Sequence, residues 1–399
     1  MPGLRTLALL TLLLCPSLAG AEDWPAWRGP RGDGTSTETN VPTTWNGATG
    51  EHIKWKVPTP GNGHASPIVW QDRIFITACV NDTQERVLTC LDRASGKTLW
   101  TKTVVKAPLE KKHDLNSYAS GTPATDGKLI YVTFLAADFG SNTQRTPGDM
   151  IVAAYDFNGE QKWQAKPGRF ASVHGFCSSP VLFEETVIIN GDHDGDAYIV
   201  ALNKQTGAEV WKVARANKTR SYVTPIIREI DGRTQMIFSG SKSVTSLDPR
   251  TGTEHWSMKG PTEQFVASLV YNGDMLFLTA GFPERHILAI KPDGKGDVTD
   301  THIAWRTTKA ASYVPSPIVV GDYFFVASDD GLVSCFEAAT GKRHWLERLG
   351  KHYSASLVTA NGLVYFLADD GIMKIVRPGP KLDVIAENPL DEYIYASPA

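Results

Sequence analysis

Apolar and β-branched residues fall along this chain in short runs separated by turn residues, with no long stretch at helical spacing beyond Leu7–Leu14. The first set reads Ser66–Trp70 (SPIVW), Arg73–Ala78 (RIFITA), Val87–Leu91 (VLTCL) and Thr98–Val104 (TLWTKTV). Each run is rich in β-branched or aromatic residues and bounded by Gly, Asp, Asn or Ser, so four strands are predicted. The same texture then returns along the rest of the chain.

The tryptophans give the period. Gly, three residues, then Trp recurs at Gly96–Trp100, Gly159–Trp163, Gly207–Trp211, Gly252–Trp256 and Gly341–Trp345. Looser copies end at Trp55 and Trp305, and an eighth has Val384 in the Trp place. The glycine fits a turn that requires positive φ. A second element precedes each inner strand, at His64, Tyr118, Phe176, Tyr222, Phe265, Tyr313, Tyr353 and Tyr395. Four-stranded units that stay in phase over about 40–50 residues predict an all-β, eight-bladed β-propeller of antiparallel blades. The phase starts with an outer strand at Glu51–Val57 and stops as an inner strand begins at Tyr395–Ala399. The expectation is a ring closed by the N-terminal outer strand, with the propeller over residues 51–399 and its C-terminal blade incomplete.

Composition narrows the picture. At 42% hydrophobic, the chain has material for a large core. Forty basic residues against 43 acidic give −3, which supplies no electrostatic case for nucleic acid or an anionic membrane. No apolar run is long enough to span a bilayer, and a monomer is expected. Arg5, the apolar Leu7–Leu14 and the small residues Ala19-Gly20-Ala21 read as a signal peptide over residues 1–21. Export to a periplasmic or extracellular space follows, with residues 22–50 as an N-terminal arm. Cys15 offers a lipid-anchor alternative, but Leu14 stands where a small residue is required. Cys79 and Cys90 flank the polar turn NDTQER, which leaves a cross-strand disulfide or two buried thiols open. Cys177 and Cys335 lie in separate repeats, and no bond is expected between them.

The segments ALNKQTGAEVW (Ala201–Trp211) and SLDPRTGTEHW (Ser246–Trp256) resemble the pyrroloquinoline quinone (PQQ) repeat of quinoprotein dehydrogenases. The resemblance spans about residues 51–399 and implies the propeller fold. The same repeat is found in the propeller lipoprotein that helps assemble outer-membrane β-barrels. It is also found in secreted bacterial proteins, whose N-terminal signature Asp23–Gly34 (DWPAWRGPRGDG) resembles. From the resemblance, Trp100, Trp163, Trp211, Trp256 and Trp345 dock between blades. A quinoprotein enzyme would add PQQ and calcium in the central funnel, an acidic base such as Asp192 or Asp194, and in many cases adjacent cysteines. This sequence has no adjacent cysteines, and its repeats carry no recognisable calcium ligand set.

Propeller connectivity places the links between blades and the turns between second and third strands on one face. Two insertions, Val105–Ser117 and Ala136–Asp149, fall there, and loops on a rigid scaffold are where binding residues concentrate. Asp192, Asp194 and Asp196, with His193 and Gly195 between them, either gather a hard cation such as calcium or make a polar turn. His64, Tyr118, His174, Tyr222, Phe265, Tyr313, Tyr353 and Tyr395 are the candidate ligand-binding residues of the funnel mouth. Tyr stacks on flat or sugar-like ligands and keeps its hydroxyl wet. Packing against neighbouring blades is the competing role. Ser66, Ser120, Ser179 and Thr224 read as strand-capping hydroxyls. The expected function is a binding or scaffold module for a protein, peptide or glycan. The alternatives are a PQQ- and calcium-dependent dehydrogenase, or a lipid-anchored assembly factor.

Overall fold

The computed structural model describes residues 21–140 and 145–399. The expected leader, residues 1–21 with Cys15, lies outside them except for Ala21. Described residues form seven sheets, each built on four antiparallel strands and arranged as a propeller blade, with Arg169–Phe170 as an added strand on blade two. Blade one runs through Ile68–Trp70, Arg73–Val80, Glu85–Asp92 and Thr98–Lys106. From innermost to outermost strand, blade two spans Ala124–Thr125 to Gln161–Ala165 and blade three Val181–Phe183 to Glu209–Ala214. Blade four spans Ile226–Ile230 to Glu254–Lys259 and blade five Val270–Tyr271 to Ile303–Thr307. Blade six spans Ile318–Val320 to Arg343–Arg348, and blade seven Val358–Ala360 to Val384–Pro389. Gly296–Asp297 adds a parallel fifth strand to blade four.

The joints between blades are built from the repeated Trp and the next blade's Gly turn. Trp163 lies over Gly207, whose φ of +71° and closeness to the indole (2.5 Å from where a Cβ would stand) both require glycine. Its Nε1 donates to Lys204 O at 2.7 Å. Trp100, Trp211 and Trp345 donate likewise to Phe157, Pro249 and Gly379 carbonyls, as do the looser copies Trp55 and Trp305 to Arg93 and Ala338. Trp256 departs from this pattern. It donates to Gln235 Oε1 within its own blade, and Gln235 Nε2 passes the link on to Pro292 O. The Gln235 amide thus relays the indole's bond across that joint, beside a second bond from Arg233 to Gly294 O.

No eighth sheet forms among the described residues. Residues 51–57 and 395–399 form no ladder, yet they sit between blades seven and one. Ser397 Oγ accepts from Ser356 N at 2.8 Å, Lys56 pairs with Glu392, and the His64 and Tyr395 rings stand 4.6 Å apart. Beside them is a cleft of about 490 Å³ lined by Trp24, Trp45, Val358, Tyr365, Met373 and Ala399, among others.

The arm is not a free leader to the ring. Residues 24–36 cross the base of the central channel and touch six blades. Trp24 pairs with Val69, Pro25 O accepts from Thr125 N, and Thr35 pairs with Thr359. Trp27 Nε1 donates to Ser268 Oγ (3.1 Å), buried Arg28 donates to Pro317 O (2.8 Å), and Arg228 donates to Arg31 O. The channel is therefore closed at its base.

The Cys79–Cys90 bridge does not form. Cys79 stands opposite Arg86 and Cys90 opposite Phe75, four rungs apart on one ladder. That is about 13 Å at strand rise, beyond disulfide reach. All four described cysteines are free thiols.

Candidate functional site

The funnel is built from two tiers set by strand periodicity. In the lower tier, five hydroxyls on the inner segments accept a backbone N–H from the preceding blade. Ser66 N bonds Thr122 Oγ1 (3.1 Å), and Thr122 N bonds Ser179 Oγ (3.0 Å). Ser268 N bonds Ser316 Oγ (2.9 Å), Ser316 N bonds Ser356 Oγ (3.0 Å), and Ser356 N bonds Ser397 Oγ. Thr224 stands at the equivalent place on blade four. In extended chain, the residue two before shares a face with each hydroxyl. Those residues are His64, Ser120, Cys177, Tyr222, Val266, Val314, Ser354 and Tyr395, and all of them line one cavity of about 420 Å³. Trp27, from the arm, lines it too.

Two loops shape the mouth. The insertion after blade one brings His113, Leu115 and Asn116 into the lining. It is tied down by Arg86 and Glu110, both buried and 2.7 Å apart. Breaking such a buried pair costs about 3–5 kcal/mol, so the loop has a fixed root. Asn116 Nδ2 also donates to His174 O at 2.7 Å. On the far side, Asp329 accepts the N–H groups of Tyr313 and Val314, and His352 pairs with Asp369 at 2.6 Å.

The lining is close to neutral. Burial, helped by Lys112, pushes the His64 imidazole down to about 4, with Asp369 pulling weakly the other way. Burial also lowers His174, aided by Arg220 and His113. Cys177 is pushed up to about 12 by burial, so it is a thiol rather than a nucleophile. Tyr222 and Tyr313 are raised by burial and stay protonated donors.

The candidate residues separate into two groups. His64, His174, Tyr222, Tyr313 and Tyr395 line the funnel. Phe265 and Tyr353 are buried among core side chains, and Tyr118 packs against the blade-one core near Arg86 and Lys112. Spacing explains most of the split. Tyr222 and Tyr395 precede the tier hydroxyl by two residues, whereas Phe265 and Tyr353 precede it by three and so face the blade interior. Tyr313, also three before, still reaches the lining, and its hydroxyl donates to Gln264 Oε1.

Asp192, Asp194 and Asp196 are each matched to a cation. Asp192 pairs with Arg215 (3.0 Å), Asp194 with Arg220 (2.8 Å) and Asp196 with Lys218 (2.6 Å). Among the described residues, no group of three or more His, Cys, Asp or Glu is arranged to hold a metal ion. Nor does the lining match PQQ. That quinone carries three carboxylates, and Arg285, the lining's sole Arg or Lys side chain, is already paired with Asp329 and Asp330. A single cysteine, Cys177, replaces any adjacent pair.

The family described as outer membrane protein assembly factor BamB matches residues 83–345 and again 295–377. The crystal structure of BamB from Moraxella catarrhalis is similar over 83% of this chain and 88% of its own, with 13% identity and a TM-score of 0.56. A europium-containing methanol dehydrogenase is similar over 94% of this chain and 87% of its own, with 13% identity and a TM-score of 0.62. The quinohemoprotein alcohol dehydrogenase from Comamonas testosteroni covers 89% of this chain at 14% identity, with 76% of its own length and a TM-score of 0.55. No curated protein matches by sequence. At these identities the structural likeness is one of fold.

Proposed function

This chain belongs to the BamB-type family of PQQ-like propellers, and on that premise we propose that it is an exported binding module whose funnel takes a neutral glycan. One observation carries this reading. The funnel is blind, near-neutral, and lined mainly by hydroxyls, imidazoles and tyrosines, with its one guanidinium, Arg285, neutralised by Asp329 and Asp330. Its volume lies within the ~300–1,000 Å³ typical of small-molecule sites. Each lower-tier hydroxyl that accepts a backbone N–H keeps its own proton to donate. Aromatic faces and protonated tyrosines supply the rest of what a sugar needs. The lining thiol is held protonated, which removes Cys177 as a nucleophile.

The test is titration calorimetry of the purified protein against neutral oligosaccharides, with PQQ plus calcium as the competing arm. Saturable saccharide binding, lost in Tyr222→Ala, is expected. A rise in melting temperature that needs quinone and calcium together would overturn the reading in favour of a dehydrogenase.

A second reading rests on a separate observation. Leu115, Phe139 and Phe282 are 51%, 41% and 50% exposed, and all three lie on loops of the mouth face. Exposed apolar side chains on one rim suit a docked polypeptide, as an assembly factor would require. Cross-linking from Leu115→Cys to an envelope protein, unaffected by saccharide, would favour it.

A further inference from the structure

We propose that Trp27 is the stacking platform of the funnel, so that the N-terminal arm rather than any blade sets how deep a pyranose ring sits. This rests on the glycan reading and adds to it the residue that receives the sugar's apolar face.

Position is the first argument. Trp27 lines the cavity but belongs to none of the blades, and it stands level with Ser268 of the lower tier. A pyranose presents a C–H face and an edge of hydroxyls, so it needs a flat aromatic surface with donors and acceptors around it. The tiers supply the polar edge. The Trp27 ring is the aromatic surface at the base of that edge.

Rigidity is the second argument. The indole N–H is committed to Ser268 Oγ, which fixes the ring. On the residue after it, the buried guanidinium of Arg28 donates to Pro317 O and to Asp33 O, holding the arm's turn. Arg31 grips Glu22 through both nitrogens of its fork, and Asp33 sits 3.7 Å from Arg228. A platform held at this many points costs little ordering entropy on binding. Polar chemistry is the third argument. The Trp27 N–H is already satisfied, so its remaining ring surface on the cavity is apolar and unsuited to a charged or strongly solvated group.

The experiment compares native protein, Trp27→Ala and Trp27→Phe in titrations with glucose, cellobiose, maltose and N,N′-diacetylchitobiose. Melting temperatures are recorded in parallel, and saturation-transfer NMR maps which ligand protons touch the protein. The native protein should bind at least one saccharide. Trp27→Ala should weaken that binding about tenfold or more, Trp27→Phe about threefold or less, and transfer should concentrate on one C–H face. If Trp27→Ala fails to fold, Trp27→Phe and the native transfer map still decide. Uniform transfer over both faces, or native affinity in Trp27→Ala, overturns the platform and leaves the glycan reading standing. No binding by the native protein overturns both.

Discussion

The joint between blades two and three and the gap between blades seven and one use the same sheets in opposite ways. At the joint, Trp163 is 8% exposed, lies over Gly207 and spends its N–H on Lys204 O. At the gap, the equivalent residue is Val384, which is 41% exposed. Blade seven there meets a cleft, and three polar atoms of its lining, Trp24 Nε1, Trp45 Nε1 and Tyr365 Oη, are buried without partners. The stabilising unit of this molecule is thus the seam between sheets rather than the sheet. A blade with four good strands still leaves apolar surface uncovered where no indole is seated on a neighbouring turn, as at Val384.

Four measurements probe that contrast, the largest effect first. Trp163→Ala should lower unfolding free energy by about 3–5 kcal/mol, read as a fall in the urea midpoint at unchanged slope. Gly207→Ala should cost about 2–4 kcal/mol in the same assay, because a left-handed backbone and an indole at 2.5 Å both oppose a Cβ. Acid should act next. His64 titrates at about 4 in the fold against 6.5 free, so its neutral form is the folded form. Stability is full above pH 6.5 and is lost as pH falls from 6.5 toward 4. His64→Gln should flatten that part of a pH-dependent melt. Val384→Trp should change stability by no more than about 0.5 kcal/mol in this chain, since the position is 41% exposed. A Val384→Trp effect as large as that of Trp163→Ala would erase the distinction between seam and gap.

The ring was legible in the sequence because a propeller solves one packing problem repeatedly, so Gly207 and Trp163 recur as Gly252 and Trp211. The arm was not, because its contacts run to Val69, Thr125, Arg228, Ser268, Pro317 and Thr359 and leave no period. Two tryptophans in four residues, Trp24 and Trp27, were its one signal, since such side chains ask to be buried. The funnel was half legible. Aligning the eight aromatic positions hid a one-residue difference in spacing, and one residue turns a side chain to the other face. Aligning instead on the tier hydroxyl would have selected Tyr222 and Tyr395 and set Phe265 and Tyr353 aside. The root of the mouth loop, Arg86 with Glu110, was hidden for another reason. An ion pair 24 residues apart across an insertion has no sequence mark.

The seating of the arm also imposes an order in time. Residues 24–36 leave the ribosome before any blade, yet their partners extend to Thr359 in blade seven. Contacts of such long sequence separation form late, after the loop-closure entropy between them has been met. The earliest part of the described chain to be synthesised is therefore the last to find its place. During synthesis the two arm tryptophans stay uncovered while blade after blade assembles, and the channel stays open at both ends until they dock. Burial of Trp24 and Trp27, followed by fluorescence during refolding, should trail the formation of the sheets.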